Sequence, residues 1–207
     1  MHSNPLWLFS SNEGVRMRHM SDLIRRLKDA GIPFNDSIKS AMEEIDPSFF
    51  TDYDLDPYYQ DKPVPFLYTD FGTTRTISAP HMIATLLHHL EVFVGQHVLL
   101  IGSKGGYLSA IIDRIVGPEG IVTIIEPHDE VRIHTEKRLE SHNAAGLIRV
   151  IRPDDLGNEN KMISRIDRVL ITGSVREIPE SVEPLVLDGG FVLGPFGGPV
   201  HQRLLKK

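Results

Sequence analysis

The chain has 207 residues, of which 41% are apolar and 24% charged, with a formal net charge of −6. That length fills one α/β domain with a sizeable core, and the composition argues against a disordered chain. The lack of cysteine excludes disulfides and thiolate zinc sites and fits a reducing, cytoplasmic setting, while the acidic balance lacks the basic face of a nucleic-acid binder.

No apolar run reaches membrane-spanning length, so neither a membrane nor a nucleic acid is expected as a partner. Residues 1–19 read as a flexible or added leader. Their apolar patch, Pro5 to Phe9, is short and follows no basic segment, which excludes a signal peptide. Residues 20–207 then form a single domain, with a helical cap and loop over 20–72 and an α/β core over 73–207.

Ser21 to Ala30 reads as a helix capped by Ser21 and stopped by Gly31, with Leu23, Ile24 and Leu27 on its inner face. A second helix starts at Asn35 or Asp36 and runs through Ile45. Phe49 and Phe50 are expected in the core. Residues 51–72 are rich in proline, which predicts a long irregular loop, either functional or a plain surface crossing. Ser78 is placed to cap a helix with Pro80 in its first turn, and Met82, Ile83, Leu86, Leu87 and Leu90 follow at helical spacing. The hydroxyls over 73–78 suit an anion held by the free amides of that helix, or serve as caps only.

Val98 to Ile101 is an apolar run without helical period. It breaks into Gly102-Ser103-Lys104-Gly105-Gly106 and continues as an amphipathic helix from Tyr107 to Val116. Strand, glycine loop and helix open a nucleotide- or cofactor-binding sheet. About twenty residues on, the strand Ile121 to Ile125 ends in Glu126, where a ribose hydroxyl pair is usually held. An ordinary solvated carboxylate is the alternative.

Asp129 to Ala144 predicts a helix ending at Gly146, followed by a strand over Leu147 to Ile151. Asp154 and Asp155 come next, suited to an adenine amino group or to a turn. Ile166 to Ile171 is a fourth strand, Pro179 to Leu187 a helix, Asp188-Gly189-Gly190 a tight turn and Phe191 to Gly194 a fifth strand. The alternation predicts an α/β fold with a doubly wound, mostly parallel, Rossmann-like sheet. The ten histidines include no i, i+4 pair on any predicted helix, so no metal is expected.

Several segments fall in the order of a known family. They are Tyr59-Gln60-Asp61-Lys62-Pro63, Thr76-Ile77-Ser78-Ala79-Pro80-His81-Met82, Gly117-Pro118-Glu119-Gly120, Ile166-Asp167, Ile178-Pro179, Asp188-Gly189-Gly190 and Gly194-Pro195. From about Met20 to Leu205 the chain resembles the protein-L-isoaspartate (D-aspartate) O-methyltransferases. The resemblance implies an S-adenosylmethionine-dependent methyltransferase fold. It implies repair of damaged proteins, by methylating the carboxylate of isoaspartyl residues in proteins or peptides so that the ester collapses to a succinimide.

By the same resemblance Ser78 matches the active-site serine, with Arg75 and Thr76 beside the substrate. Ile77 and Ser78, with Gly102, Ser103, Lys104, Gly105 and Gly106, match the cradle of the cofactor's methionine part. Glu126 matches the ribose acid, and Asp154 and Asp155 the pair near adenine. Five positions depart from the pattern. Leu100 stands for an acidic residue, Lys104 for a glycine, Pro153-Asp154-Asp155 for Gly-Asp-Gly, and Arg75 for an uncharged residue. These departures leave open a catalytically degenerate fold with a binding or structural role. A tRNA adenine methyltransferase is a further alternative, opposed by the acidic balance and the serine segment. The fifth strand near the end of the chain suggests an open edge and a homo-oligomer.

Overall fold

In a computed structural model, which describes residues 8–158, 165–198 and 200–207, the chain begins with helix α1 (Leu8–Asp29). The helix therefore starts inside the stretch read as a leader, of which residues 1–7 lie outside the described residues. Ser21 is not a cap but an interior residue of α1, and its hydroxyl donates to Glu43 Oε1 at 2.9 Å. Gly31, at φ +84°, ends the helix where a side chain would be strained. Helix α2 (Asp36–Glu44) is capped by Asn35, whose Oδ1 accepts from Ile38 N at 2.8 Å. Leu23, Ile24, Leu27, Ile38, Met42 and Ile45 are buried. The tight turn Pro47–Phe49 sends successive side chains in different directions, so Phe50 is buried while Phe49 is exposed.

The proline-rich segment is not an irregular loop. It holds helix α3 (Asp56–Tyr59) and strand β1 (Val64–Tyr68). Pro57 lies in the first turn of α3, where a missing N–H costs nothing. Pro65 lies in a two-stranded antiparallel ribbon of β1 and β2 (Thr74–Ile77), where each strand has a free edge. Helix α4 (Pro80–Leu90) takes Ala79, not Ser78, as its N-cap, with no side-chain cap bond.

The core sheet uses β3 (His97–Ile101), β4 (Ile121–Ile125), β5 (Leu147–Ile151), β6 (Ile166–Ile171), β7 (Val186–Gly197) and β8 (Gln202–Lys206). Helix α5 (Tyr107–Val116) joins β3 to β4, α6 (Asp129–Glu140) joins β4 to β5, and the one-turn α7 (Asp155–Asn158) follows β5. The spatial order is β5-β4-β3-β6-β7-β8, parallel except for β8. This is the expected doubly wound sheet. Its apolar strands serve both faces: Val98 and Leu100 join the core under the cap helices, and Leu99 joins a second core with Val169, Ile171 and Val192. Tyr58 and Tyr107, both buried, share a hydroxyl–hydroxyl hydrogen bond of 3.2 Å that ties the cap to α5.

Three expectations near the C-terminal half are corrected. Helix α6 ends at Glu140 rather than Ala144, because the chain there turns onto Asp113 of α5, whose carboxylate accepts from Ala145 N at 2.7 Å and Gly146 N at 2.9 Å. Pro179 to Leu187 is not a helix. Only the turn Glu183–Leu185 is helical, since Pro184 suits a first turn alone and Val186 already pairs with Ile166. Asp188-Gly189-Gly190 lies within β7, where the register with β6 shifts and Gly189 takes φ +81°. It is a bulge rather than a turn between elements. No helix among the described residues is long and apolar enough to cross a membrane.

Asp113 gives the fold a pH signature. It is fully buried. Burial alone raises a carboxyl pKa, but His142, 3.5 Å away, and the two backbone N–H groups outweigh it and hold the group below the ordinary 3.8. A depressed folded pKa stabilises the fold above the unfolded value, and that contribution is lost as pH falls through the folded value. Asp113→Asn turns an amide donor toward a backbone donor, and should cost about 1–3 kcal/mol in urea unfolding at neutral pH. The gap to the natural chain should shrink as pH falls below the ordinary 3.8 and through the lowered folded value.

Candidate active site

The sheet's strand order reverses between β3 and β6, since β3 leads to β4 and β5 on one side while β6 and β7 lie on the other. Ligands in such sheets bind beyond the carboxyl ends of the strands at this point. A cleft of about 450 Å³ lies there, a volume within the range of small-molecule sites. Its walls are Thr74, Arg75 and Thr76 of β2, the loop Gly102–Lys104, Glu126 to His128 after β4, and Thr172 to Val175 after β6.

The loop after β3 is held by Glu126, which is 4% exposed. Ser103 N and Ser103 Oγ both donate to Glu126 Oε2 at 2.9 Å, and His128 N donates to Oε1 at 3.1 Å. Thr135 Oγ1 of α6 lies 2.8 Å from Ser103 Oγ and extends the network. A carboxylate has about four acceptor positions. With three used, Oε1 keeps one for a ribose hydroxyl, so the residues present fit an adenosyl cofactor.

Glycine is required at two points. Gly102 has φ +92°, and a Cβ there would meet Thr172 Oγ1 at 2.4 Å. That hydroxyl lies 3.1 Å from Ile101 O and 3.0 Å from Gly102 O, sealing β6 against the loop. Gly105 has φ +76°, and its Cβ would lie 2.8 Å from the ring of Phe66 on β1. Lys104 between them takes φ +49°, a left-handed backbone that a side chain rarely adopts.

Two cations share the cleft. Arg75 is half-buried, and its Nε is buried without a hydrogen-bond partner among the described residues. Lys104 is also half-buried and lines the cleft without an ion pair among the described residues. Its pKa is lowered by burial, then by the charge of Arg75, with Glu126 acting the other way.

The other expected site residues are spread. Ile77 is buried behind the cleft wall, and Ser78 sits half-buried before α4. The Ser78 hydroxyl makes no hydrogen bond among the described residues. Gly106 is buried at the start of α5, and Leu100 packs in the core rather than at the cleft. Asp154 is exposed, and Asp155 Oδ2 accepts from Arg152 N at 3.1 Å in the turn before α7. Neither aspartate lines the cleft. Sequence reasoning missed Phe66, His128 and Thr172 to Val175. The last group carried a signal, because it follows a strand beside the reversal. Phe66 did not, because its strand was hidden among prolines.

The family model described as protein-L-isoaspartate(D-aspartate) O-methyltransferase (PCMT) matches residues 18–207. A protein-L-isoaspartate O-methyltransferase of Methanopyrus kandleri is 29% identical over 199 residues, covering 94% of this chain and 84% of the relative. One from Triticum aestivum is 31% identical over 181 residues, covering 84% and 76%. A solved protein-L-isoaspartate O-methyltransferase superposes with a TM-score of 0.75 at 26% identity, over 91% of this chain and 60% of that one. A Plasmodium falciparum protein of the same description, solved with S-adenosyl-L-homocysteine, shares the fold with a TM-score of 0.71 at 23% identity, over 92% and 88%.

Gly102→Ala should destabilise the fold by about 1–3 kcal/mol, through the left-handed backbone and the contact with Thr172 together. Adding Thr172→Ala removes the contact but not the backbone strain. The double variant should therefore recover part of the loss, as read by urea or thermal unfolding.

Proposed function

This chain belongs to the protein-L-isoaspartate(D-aspartate) O-methyltransferase family, and from that premise we propose how its cleft transfers a methyl group from S-adenosylmethionine to the free carboxylate of isoaspartyl residues in damaged proteins. The observation that carries the reading is the pairing of two walls across one cleft. Glu126 and the glycine loop form one wall, and Arg75 and Thr76 form the other.

S-adenosylmethionine supplies a methyl group made electrophilic by the sulfonium. Glu126 is the acceptor for the ribose, and the backbone of Gly102 to Gly106 carries the methionine part. Ile77 backs the wall. Arg75 holds the substrate carboxylate, since a guanidinium offers it two hydrogen bonds. Its place on the cleft wall, without an ion pair among the described residues, supports that role. Thr76 and Ser78 add hydroxyl donors that orient the attacking oxygen. Asp154 and Asp155 are the candidates for the adenine end, and reach it only if the turn before α7 moves toward the cleft.

With S-adenosylmethionine bound, its methyl carbon would pass to the carboxylate oxygen as the carbon–sulfur bond broke, leaving a neutral thioether. No proton moves. The chain's contribution is therefore positioning and exclusion of water rather than acid–base chemistry. The absence of a nucleophile–base pair from this reading follows from the reaction.

The test is transfer of labelled methyl from S-adenosylmethionine to an isoaspartyl peptide, with the aspartyl isomer as control. The label should appear on the isoaspartyl peptide alone and be released by alkali. Arg75→Ala should raise the peptide KM about tenfold or more with kcat nearly unchanged, the pattern of lost uniform binding. Ser78→Ala should lower kcat/KM by roughly tenfold, through loss of orientation.

A further inference from the structure

The charges lining the cleft do not balance. Glu126 is its buried carboxylate, and Ser103 and His128 backbone and hydroxyl donors already occupy three of its acceptor positions. Arg75 and Lys104 line the same cleft, and neither forms an ion pair among the described residues. In the reading above, Arg75 meets the substrate carboxylate. Lys104 is then left as a positive charge without a counterion, in the loop that carries the cofactor.

A walled cleft focuses such a charge, because water screens it less than on open surface. The donor and the product of the reaction differ there by one methyl group and, with it, by the charge on sulfur. S-adenosylmethionine has a positive sulfur, and S-adenosylhomocysteine has a neutral one. Adenine, ribose, amino group and carboxylate are common to both. Any contact of Lys104 with those shared groups cancels when the two affinities are divided. Only the repulsion between ammonium and sulfonium survives the division.

We propose that Lys104 is a specificity-determining residue of this cleft, which makes it hold the neutral thioether product more tightly than the sulfonium donor. The inference rests on the methyltransferase reading and adds to it a cause of product inhibition specific to this chain. Lys104 does not touch the reacting atoms in this role. It acts through its field, and a unit charge within a partly desolvated pocket shifts affinity by roughly tenfold. Backbone strain is a separate matter. Lys104 has φ +49°, which glycine would adopt without strain, so the glycine variant relieves the backbone as well as removing the charge.

The experiment is calorimetric titration of the full chain with S-adenosylmethionine and with S-adenosylhomocysteine, for the natural chain and for Lys104→Met, Lys104→Gly and Lys104→Arg. The ratio of donor to product dissociation constants should fall about tenfold in Lys104→Met and Lys104→Gly and stay near the natural value in Lys104→Arg. Donor binding appearing only once the lysine is removed would support the proposal in its strongest form. A ratio unchanged in Lys104→Met, with both ligands still bound, overturns the proposal and leaves the methyltransferase reading intact. Equal weakening of both ligands also overturns it and makes Lys104 a partner of the shared amino-acid end. If neither ligand binds any of the four proteins, both the proposal and the reading beneath it fall.

Discussion

The hydrogen bonds from Ser103 to Glu126 join the two strands on which the site is built. Glu126 follows β4 directly and Ser103 lies in the loop after β3, and the carboxylate accepts from both the backbone and the hydroxyl of that serine. Charged acceptors make the stronger hydrogen bonds, and burial raises the cost of leaving such a group unpaired. Three donors reach Glu126, so its oxygens are partnered at a buried position beyond the strand tip. The same bonds fix the path of the loop before it turns into α5. Thr135 links the pair to α6, so helix, strand and loop are held at one point.

The opposite wall comes from outside the central sheet. The ribbon of β1 and β2 places Phe66 against the bare face of Gly105 and carries Arg75 and Thr76 into the cleft. Asp70 N at the ribbon's turn donates to Glu130 Oε2 of α6 at 3.1 Å, which anchors the tip. The cap helices, the ribbon and the loop share one large core, which includes Phe66, Ile77, Tyr107 and Val131. The two walls of the cleft are thus packed on a common base, the arrangement that a transfer dependent on alignment would need.

The strands and the glycine loop were legible because their signals are local. An apolar run such as Val98 to Ile101 needs no context to read as a buried strand, and Glu126 stands at the end of another. Asn35 announced its helix by the same local logic. What escaped depended on contacts distant in sequence. β1 and β2 stabilise each other, so prolines that discourage a lone strand were overruled by pairing and by Phe66. The end of α6 was set by Asp113, some thirty residues earlier, and the helix expected after Pro179 gave way to pairing with β6. Arg75 was readable as an unusual residue, but its unpartnered nitrogen was not.

Lys104 joins both kinds of information. Its identity is plain in the sequence, where it interrupts a run of glycines. Its meaning needs the fold, because only there does the residue prove to be strained in backbone, half-buried and without an ion pair among the described residues. Each feature alone is unfavourable, and a surrounding structure must over-determine the loop for them to persist together. Ser103 on one side and Gly105 on the other supply that constraint, through Glu126 and Phe66 respectively. Such a coincidence of strain and charge at the mouth of a cleft is more economically explained by what the cleft binds than by folding, since glycine would serve the fold with neither cost.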